Sequence, residues 1–449
     1  MGRHSGRILA VLVVAAGTAS VVRAGDLEQL NASLNAMRRE VRDLERRVAE
    51  MESTDRTEAN HAAPNDFRLY WDDGIRMKTN DGKVKIKFGG RLMYDVGWVS
   101  GTDMENALGT DLEDAAEVRR ARLYAAGNLG KDLGFKLQFD FAGGDADLKD
   151  AYLQFKHVPF VGSVKVGHFK EPFSLEELTS SKYITFMERA LPNTFAPGRN
   201  WGVMAMDAPL DERMTWAVGL FRDVDGYGHG EDDGAYNLTA RLTGLPIYAD
   251  GGRRLVHLGA AYSLRHADDH SFGAFDAHPE QHWAPDFVNS GSFSDADWQH
   301  RFGGEAAMVW GPFSAQGEVM AVNVDTDTGD DACLCGFYAY ASYFLTGEHR
   351  PYKASAGSFG RVKPLRPFRE DGGWGAWEIA CRYSYVDVTD GVGEQNLGQR
   401  QAAATVGLNW YLNNNVRIMW NYLHTCVDGS PSDVDAEADL LGMRVQFDF

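Results

Sequence analysis

The stretch KVKIKFGGRLMYDVGW, residues 83 to 98, alternates between two kinds of side chain. Every even-numbered position is apolar, aromatic or glycine, whereas the odd-numbered positions include Lys83, Lys85, Lys87 and Arg91. Successive side chains of a β-strand point to opposite faces, so the stretch predicts a strand with one apolar and one cationic face. Three settings suit such a strand: a soluble β-sandwich, a sheet that binds nucleic acid, and a membrane barrel with lipid outside and water inside.

The amino terminus favours an exported protein. Arg3 and Arg7 precede an apolar run from residue 8 to residue 22, and a small-residue cleavage motif ends at Ala24, so residues 1–24 are predicted to be a signal peptide. A single membrane anchor is the alternative, although the run is shorter than the ~20 residues of a membrane span. No later run is long and apolar enough for a membrane helix, so a membrane location requires a closed β-barrel.

The overall charge argues against nucleic acid as a partner. The chain has 45 basic and 64 acidic residues and a formal net charge of −19, and loss of the signal peptide makes it more acidic still. Domains that bind nucleic acid are usually basic. The cationic face of residues 83–98 is therefore a local feature of an acidic protein.

Residues 26–52 have the pattern of a short coiled coil. Their apolar positions are spaced alternately by three and four residues, which predicts a seam between helices and hence an oligomer. A lone amphipathic helix packed on the rest of the chain is the alternative. Residues 53–66 are polar and are predicted to be a linker. The seam positions are Leu27, Leu30, Leu34, Met37, Val41, Leu44, Val48 and Met51.

From residue 67 onward, short alternating runs are separated by Gly, Asp and Asn. An even number of strands, aromatic residues near strand ends and the terminal Phe449 favour an all-β fold, a 16-stranded antiparallel transmembrane β-barrel over residues 67–449. A secreted β-protein is the alternative. The predicted strands are 83–98, 117–129, 134–142, 149–156, 163–170, 201–208, 214–222, 235–243, 254–264, 301–310, 312–322, 336–345, 374–386, 402–411, 415–424 and 440–449.

Sixteen strands enclose a channel, so a further segment is needed to narrow it. Residues 171–200 combine apolar anchors with polar groups and are predicted to fold back into the barrel as a constriction loop. Within it, Ser180, Ser181 and Lys182 are candidate donors to an oxyanion. The alternative is that the two serines cap a helical turn of the loop.

The second predicted strand adds a cluster of arginines. Its sequence EVRRARLY contains Arg119, Arg120 and Arg122. Adjacent residues share a face of a strand only where the strand is bulged. Arg120 and Arg122 have the same parity and are the first candidates for the lumen, where we also place Lys83, Lys85, Lys87 and Arg91 as an anion ladder.

The sequence gives little support to the hypothesis that the protein is an enzyme. The sequence has no GxSxG, HExxH or phosphate-binding glycine motif, although an outer-membrane hydrolase with a spatial Ser-His pair stays open. No metal site is predicted, because the histidines of the loop 265–300 match no ligand set. The four cysteines are too few for a disulfide framework, and we interpret Cys381 and Cys426 as packing residues. No cofactor is predicted.

Six blocks in this order resemble one family. GGRLMYD, RRARLY, LKDAYLQF, VGHFKEPFSLEELTSSKYITFMERALPNTFAPGRNWGVM, YFLTGEHRPY and LNWYLNNNVRIMWNY together are similar to the phosphate-selective porin O/P family of bacterial outer-membrane porins. The resemblance implies a homotrimer of sixteen-stranded barrels, each with an inward-folded third loop and an Arg/Lys ladder that leads to a narrow anion site.

The resemblance also assigns residues. Its constriction cations match Arg91, Arg119 and Arg120, an acidic residue of its site matches Asp150, and its loop hydroxyls match Ser180 and Ser181. The chain departs from the phosphate-specific pattern at two positions, because Glu177 replaces a lysine and Arg122 replaces a tyrosine. One constriction charge is thereby reversed and another is gained.

These observations predict passive diffusion of small inorganic anions, with phosphate or polyphosphate as candidates, through an outer-membrane porin. A broad or differently selective porin is one alternative. A structural envelope tether, in which the coiled coil contacts the cell wall, is another. The expected partners are small anions, outer-membrane lipid and two further copies of the chain, with no nucleic acid.

Overall fold

The computed structural model describes residues 32, 35–47, 66–109, 111–224, 226–228, 236–267, 269–326, 331–391, 399–429 and 435–449. They belong to two units, Met1–Asp66 and Phe67–Phe449. In the first unit, residues 35–47 form an exposed α-helix, α1. The predicted signal peptide lies outside the described residues, as do both ends of the predicted coiled coil and residues 53–65 of the predicted linker. No helix among the described residues is long and apolar enough to cross a membrane.

The second unit is a closed antiparallel barrel of sixteen strands, as the alternating runs predict. Its first and last strands pair directly, with Arg91 opposite Asp448 and Ser100 opposite Asp439. The barrel strands are β3 (Val84–Ser100), β4 (Ala115–Leu129), β5 (Leu133–Asp140), β6 (Asp147–Val158), β7 (Gly162–Lys170), β8 (Arg199–Asp207), β9 (Met214–Arg222), β10 (Tyr236–Ala249), β11 (Arg254–His266), β16 (Ala296–Trp310), β17 (Phe313–Thr326), β18 (Ala332–Phe344), β21 (Ala376–Asp387), β22 (Arg400–Tyr411), β23 (Val416–Asp428) and β24 (Ala436–Asp448).

The remaining elements are short. A hairpin of β1 (Phe67–Trp71) and β2 (Ile75–Thr79) precedes the barrel. Helix α2 (Thr102–Leu108) follows β3, and the single turn α3 (Leu175–Leu178) follows β7. The connections also contain β12 (Ser271–Phe272), β13 (Asp276–Ala277), β14 (Val288–Asn289), β15 (Phe293–Ser294), β19 (Tyr352–Lys353), β20 (Ser358–Phe359) and the 3₁₀ turns Leu191–Phe195, Asp250–Gly252, Ala354–Ala356 and Glu370–Gly372.

Strand β3 shows how the sequence pattern becomes a wall with two faces. Leu92, Tyr94 and Trp98 point outward and are 44–48% exposed, whereas Arg91 and Asp95 point inward and are at most 7% exposed. Outward apolar side chains meet lipid in an outer-membrane barrel, and the inward face is polar. Strand β3 therefore has an apolar outward face and a polar inward face, as the alternation in residues 83–98 predicts.

The amino-terminal hairpin, which the sequence analysis missed, extends the wall beyond the end of β24. Strand β2 pairs with the first residues of β3, with Ile75 opposite Phe88 and Lys78 opposite Lys85. The ring of Trp71 stacks on that of Phe449 with their centroids 6.3 Å apart. The first part of β3 thus pairs with the hairpin rather than with the last strand.

The lengths of the connections orient the barrel. At the end that carries the hairpin, most strands are joined by tight turns such as 130–132, 159–161 and 311–312. The opposite end carries longer loops such as 101–114 and 171–198. Short turns are periplasmic and long loops extracellular in barrels of this type, so the hairpin lies at the periplasmic end.

The third extracellular loop, residues 171–198, folds into the barrel as the sequence predicts. Phe186 is fully buried and packs edge-on against Tyr340 of the wall, with ring centroids 5.5 Å apart. The main chain is also held, because Arg417 Nη1 donates to the carbonyl of Ile184 at 2.8 Å and Asn409 Nδ2 donates to that of Thr185 at 2.8 Å. These bonds satisfy carbonyls that an irregular loop would otherwise bury without a partner.

The fifth extracellular loop, residues 267–295, also lies inside the barrel. Phe275 packs edge-on against Phe195 of the third loop at 5.2 Å. Glu280 is buried and accepts hydrogen bonds from Arg382 Nε at 3.1 Å and Thr405 Oγ1 at 2.8 Å. The pattern of strands predicts only a connecting loop here, although the phenylalanines of this run are a sequence signal for burial.

A long periplasmic connection, residues 345–375, enters the barrel from the other end. Tyr352 Oη lies 2.7 Å from His257 Nδ1 of β11. Arg350 Nη1 donates to Gln316 Oε1 at 2.7 Å, and the Arg350 guanidinium lies 3.5 Å from the centre of the Phe359 ring. An open part of the lumen remains beside strands β3 to β10.

Loss of the Phe186 ring is expected to loosen the third loop. Phe186→Ala removes a fully buried aromatic side chain, which typically costs about 3–5 kcal/mol. We expect a lower unfolding temperature in detergent and a larger single-channel conductance. Phe160→Ala, at an exposed periplasmic turn, is the matched control and should change neither quantity. A Phe186→Ala channel with parental conductance would show that the loop does not limit the pore.

Candidate functional site

The open part of the lumen is a cavity of about 610 Å³ between strands β3 to β10, the third loop and the periplasmic connection. Ten basic side chains line it against two acidic ones, so its lining carries an excess of positive charge although the whole protein is acidic. The basic residues are Arg91, Arg120, Arg122, Lys136, Lys156, Lys165, Lys170, Arg189, Arg199 and Arg241; the acidic residues are Asp150 and Asp207.

A β-bulge brings two adjacent arginines to the same face of β4. Arg120 lies opposite Met93 of β3, but the next pair along the strands is Val118 with Tyr94, so Arg119 is the extra residue. A bulge of this kind is the condition under which neighbours share a face. Arg119 and Arg120 accordingly both reach the third loop.

The two arginines bind one carboxylate of that loop. Arg119 Nε lies 2.9 Å from Glu188 Oε1, and Arg120 Nη2 lies 3.0 Å from Glu188 Oε2. Arg444 of β24 donates to Glu188 at 2.6 Å from its other side. Burial alone would raise the pKa of Glu188, but the three guanidinium groups outweigh it and hold the pKa well below its usual value. Arg119 and Arg120 therefore anchor the loop.

Other cations of the wall are also paired. Arg122 Nε lies 2.6 Å from Asp140. Asp150 bridges two neighbours, with Lys136 Nζ at 2.6 Å and Arg199 Nε at 3.0 Å. The predicted acidic residue Asp150 thus lies in the cavity, where it orients two cations that sequence analysis had not selected.

Arg91 and Lys165 differ from these residues, because neither has a carboxylate within ion-pair distance in the part of the chain that the structure describes. Arg91 Nη1 donates to Ser181 Oγ at 2.5 Å, and its Nε has no hydrogen-bond partner. Lys165 Nζ lies 4.7 Å from the centre of the Tyr152 ring and 5.1 Å from that of Phe169. Lys156 is similar, because its Nζ donates to the neutral Asn128 Oδ1 at 2.6 Å.

The loop hydroxyls contribute donors beside Arg91. Ser180 and Ser181 both line the cavity. They do not cap α3, whose first turn is capped by Ser174 Oγ accepting from the Glu177 N–H at 3.1 Å, but Ser180 Oγ accepts from the Lys182 N–H at 3.4 Å in the turn that follows. The arrangement of a guanidinium next to two hydroxyls suits an oxyanion, which accepts several hydrogen bonds at once.

Glu177 does not line the cavity but changes its charge balance. Its carboxylate lies 2.7 Å from Lys170 Nζ and 3.0 Å from Arg189 Nε, both of which line the cavity. Burial opposes ionisation of Glu177, yet Arg189 and Lys170 lower its pKa to about 2. The ionised carboxylate therefore offsets part of the charge of two lumen cations.

The predicted lysine ladder lies away from the cavity, near the periplasmic end. Lys83 is exposed and lies 3.0 Å from Asp81. Lys85 is opposite Lys78 and Lys87 is opposite Arg76, so the ladder continues into the hairpin strand β2. The three lysines occupy odd-numbered positions, as Arg91 of β3 does, but they do not line the cavity.

Lys182 also lies apart from the main cavity. Its Nζ is 3.3 Å from Asp448 Oδ1, in a small recess that Arg361 and Tyr183 share. Burial lowers the pKa of Lys182 to about 7, and the attraction of Asp448 only partly opposes this effect. Lys182 is therefore a weaker cation at neutral pH than its sequence suggests.

Sequence reasoning missed seven cations of the cavity. Four of them lie within strands, where alternation with apolar neighbours, as in the run GFKLQFDF around Lys136, is a usable signal. The other three lie at strand ends or in the loop, where parity does not decide which way a side chain points. The missed residues within strands are Lys136, Lys156, Lys165 and Arg241, and the others are Lys170, Arg189 and Arg199.

The histidines of the fifth loop pair with carboxylates. His278 Nδ1 lies 3.0 Å from Asp286, and His282 Nδ1 lies 3.0 Å from Glu117 of β4. Among the described residues of this loop, no set of three metal-ligand atoms converges.

Comparison with known proteins agrees with this architecture. The profile of the family "Phosphate-selective porin O and P" matches residues 86–449. Porin O of Pseudomonas aeruginosa is 29% identical over 411 residues, which cover 84% of this chain and 91% of that protein. An uncharacterised protein of Caulobacter vibrioides is 29% identical over 397 residues, covering 85% and 77% of the two chains.

Solved structures share the fold at low sequence identity. An anion-selective porin from Comamonas acidovorans has a TM-score of 0.52 and 14% identity, and the match covers 82% of this chain and 100% of that one. OmpF of Salmonella typhi, in a complex with daunomycin, has a TM-score of 0.51 and 14% identity, with coverage of 85% and 100%. The family match extends over most of the barrel, and the chain therefore belongs to the phosphate-selective porin O and P family, whose members are channels of the bacterial outer membrane and not enzymes.

Proposed function

We propose that this porin conducts small anions by passive diffusion and that it binds oxyanions, phosphate among them, beside Arg91. The observation that carries the proposal is the charge of the cavity, where ten basic side chains face two acidic ones and where Arg91 and Lys165 have no carboxylate within ion-pair distance among the described residues. A positive lumen with low-dielectric walls concentrates anions and repels cations.

The arrangement suits passage as well as binding. Most of the lumen cations already share their charge with a carboxylate, as Arg122 does with Asp140 and Arg199 does with Asp150. An anion therefore meets a series of partly neutralised donors, each weak enough to release it. Within that series, the anion binds most strongly beside Arg91. Several hydrogen-bond donors converge there, namely the Arg91 guanidinium and the hydroxyls of Ser180 and Ser181.

Preference for multivalent oxyanions follows from the donor type. A guanidinium group offers planar paired N–H donors to an oxyanion, whereas chloride gains little from that geometry. Porin O of Pseudomonas aeruginosa belongs to a family named for phosphate selectivity. Glu177 weakens the positive electrostatic field of the cavity, because its carboxylate neutralises part of the charge of Lys170 and Arg189. We therefore expect modest phosphate binding without exclusion of other anions.

Removal of the Arg91 guanidinium tests the site. Arg91→Ala deletes a donor that is free of carboxylates, and hydrogen bonds to charged groups contribute about 1.5–3 kcal/mol. We expect phosphate to block chloride current at concentrations about tenfold higher or more. Lys83→Ala, which removes a cation outside the cavity, should leave the blocking concentration unchanged. Equal block in the parent and the Arg91→Ala variant would exclude Arg91 as the anion site.

Neutralisation of Glu177 should have the opposite effect. Glu177→Gln keeps the shape of the side chain and frees the charges of Lys170 and Arg189, so phosphate should block at lower concentrations. Glu212→Gln, in an exposed periplasmic turn, is the control for loss of one negative charge. Weaker or unchanged block by phosphate in Glu177→Gln would show that this carboxylate does not tune the lumen.

The helix α1 favours an additional structural role. Met37, Val41 and Leu44 are 52–61% exposed and follow heptad spacing, so the described part of the helix presents an apolar stripe. We propose that residues 26–52 form a coiled coil in a homotrimer and contact the cell wall. Deletion of residues 26–52 should weaken oligomer bands in mild detergent and leave single-channel conductance intact. Unchanged oligomer bands would contradict a role of the helix in assembly.

A further inference from the structure

Two neighbouring strands carry an unassigned group of metal-ligand side chains on the outer face of the barrel. His424 of β23 is the cross-strand partner of Asp439 of β24, and Cys426 is the partner of Glu437. All four residues have outward parity and lie near the extracellular ends of the strands. The wall separates them from the cationic cavity, so the conduction path does not use them.

The distances within this group are close to those between the ligands of a tetrahedral metal site. Cys426 Sγ lies 3.5 Å from His424 Nε2 and 4.0 Å from Glu437 Oε1, and the three ligand atoms all lie within 4.8 Å of one another. Zinc bonds of about 2.3 Å to sulfur and about 2.0–2.2 Å to nitrogen or oxygen separate tetrahedral ligand atoms by about 3.3–3.6 Å. Small side-chain rotations therefore suffice to close the group around an ion.

A second carboxylate fixes the histidine in the form that binds metal. His424 Nδ1 lies 3.0 Å from Asp439 Oδ1, which also accepts a hydrogen bond from Tyr422 Oη at 2.8 Å. Because the ionised Asp439 only accepts hydrogen bonds, His424 Nδ1 carries the proton and Nε2 presents its lone pair toward Cys426. This carboxylate–histidine arrangement is typical behind metal-ligating histidines.

The neighbouring strand leaves room for an ion and its solvent ligand. Ala402 of β22 is paired with Cys426, and Ala404 is paired with His424. Both alanines share the outward face, where a larger side chain would cover the sulfur and the imidazole. The small alanine side chains thus leave the group accessible on the outer face of the barrel.

We infer that His424 Nε2, Cys426 Sγ and Glu437 Oε1 form a site for a divalent cation of intermediate softness, with Zn²⁺ as the best fit. Thiolate, imidazole and carboxylate together suit zinc better than calcium or magnesium, which take oxygen ligands. On binding, the Cys426 thiol releases its proton to solvent and the sulfur bonds to the metal. Water occupies the fourth position. The ion ties β23 to β24 at the rim, which adds stability to the folded barrel.

Cobalt provides a direct probe, because a thiolate bound to Co²⁺ gives a charge-transfer band in the near ultraviolet. The untagged full-length protein is purified in detergent with Cys333→Ser, Cys335→Ser and Cys381→Ser, which leaves Cys426 as the sole thiol of the four cysteines. We expect this band to saturate at one Co²⁺ per chain and Zn²⁺ to abolish it by displacement. Zn²⁺ should also raise the unfolding temperature of this protein.

Further variants separate a built site from binding to a lone thiol. Cys426→Ser added to that background should abolish the band. His424→Gln and Glu437→Gln should each weaken cobalt binding at least tenfold, and Asp439→Asn should weaken it about 10–100-fold as expected for a carboxylate behind a ligating histidine. Absence of the band, its survival in Cys426→Ser, or an affinity unchanged by both His424→Gln and Glu437→Gln would overturn the proposal.

Discussion

The ion pairs between the barrel wall and the third loop are the interaction on which the rest of the lumen depends. The Glu188 carboxylate forms ion pairs with Arg119, Arg120 and Arg444. These arginines lie on β4 and β24, the two strands that flank β3. Buried charges without partners are costly, and removing one partner of such a group typically costs about 3–5 kcal/mol. The carboxylate therefore fixes the position of the loop, and the loop in turn determines the width of the channel.

The same electrostatic requirement shapes the rest of the lumen. Several buried cations are matched by carboxylates, both in the filled part, as Arg382 is by Glu280, and in the lining of the open cavity, as Arg241 is by Glu305. Arg91 and Lys165 line the open cavity without a carboxylate within ion-pair distance among the described residues. Water that enters an open cavity can solvate such charges, and an anion can replace that water.

Sequence reasoning succeeds where the determinant is local. Alternation with a period of two places the strands, and the apolar residues of the third loop predict its burial. The position of Lys83 along the barrel axis, near the periplasmic end and outside the cavity, could not be predicted. It depends on how far β24 extends along β3, which is a contact between the two ends of the chain. Insertion of the fifth loop depends on contacts such as Glu280 with Arg382, which join residues far apart in the chain. Cys426 gained meaning only when the pairing of β23 with β24 placed it beside Glu437.

The central claim is that the open half of the lumen conducts anions in preference to cations. The most direct test is the reversal potential of the purified parent protein in planar bilayers across a potassium chloride gradient, repeated with phosphate on one side. For an anion-selective channel, we expect a reversal potential with the sign of the chloride equilibrium potential. We also expect a smaller chloride current once phosphate is present. A potential of the sign set by potassium, or a zero potential that phosphate leaves unchanged, would contradict it.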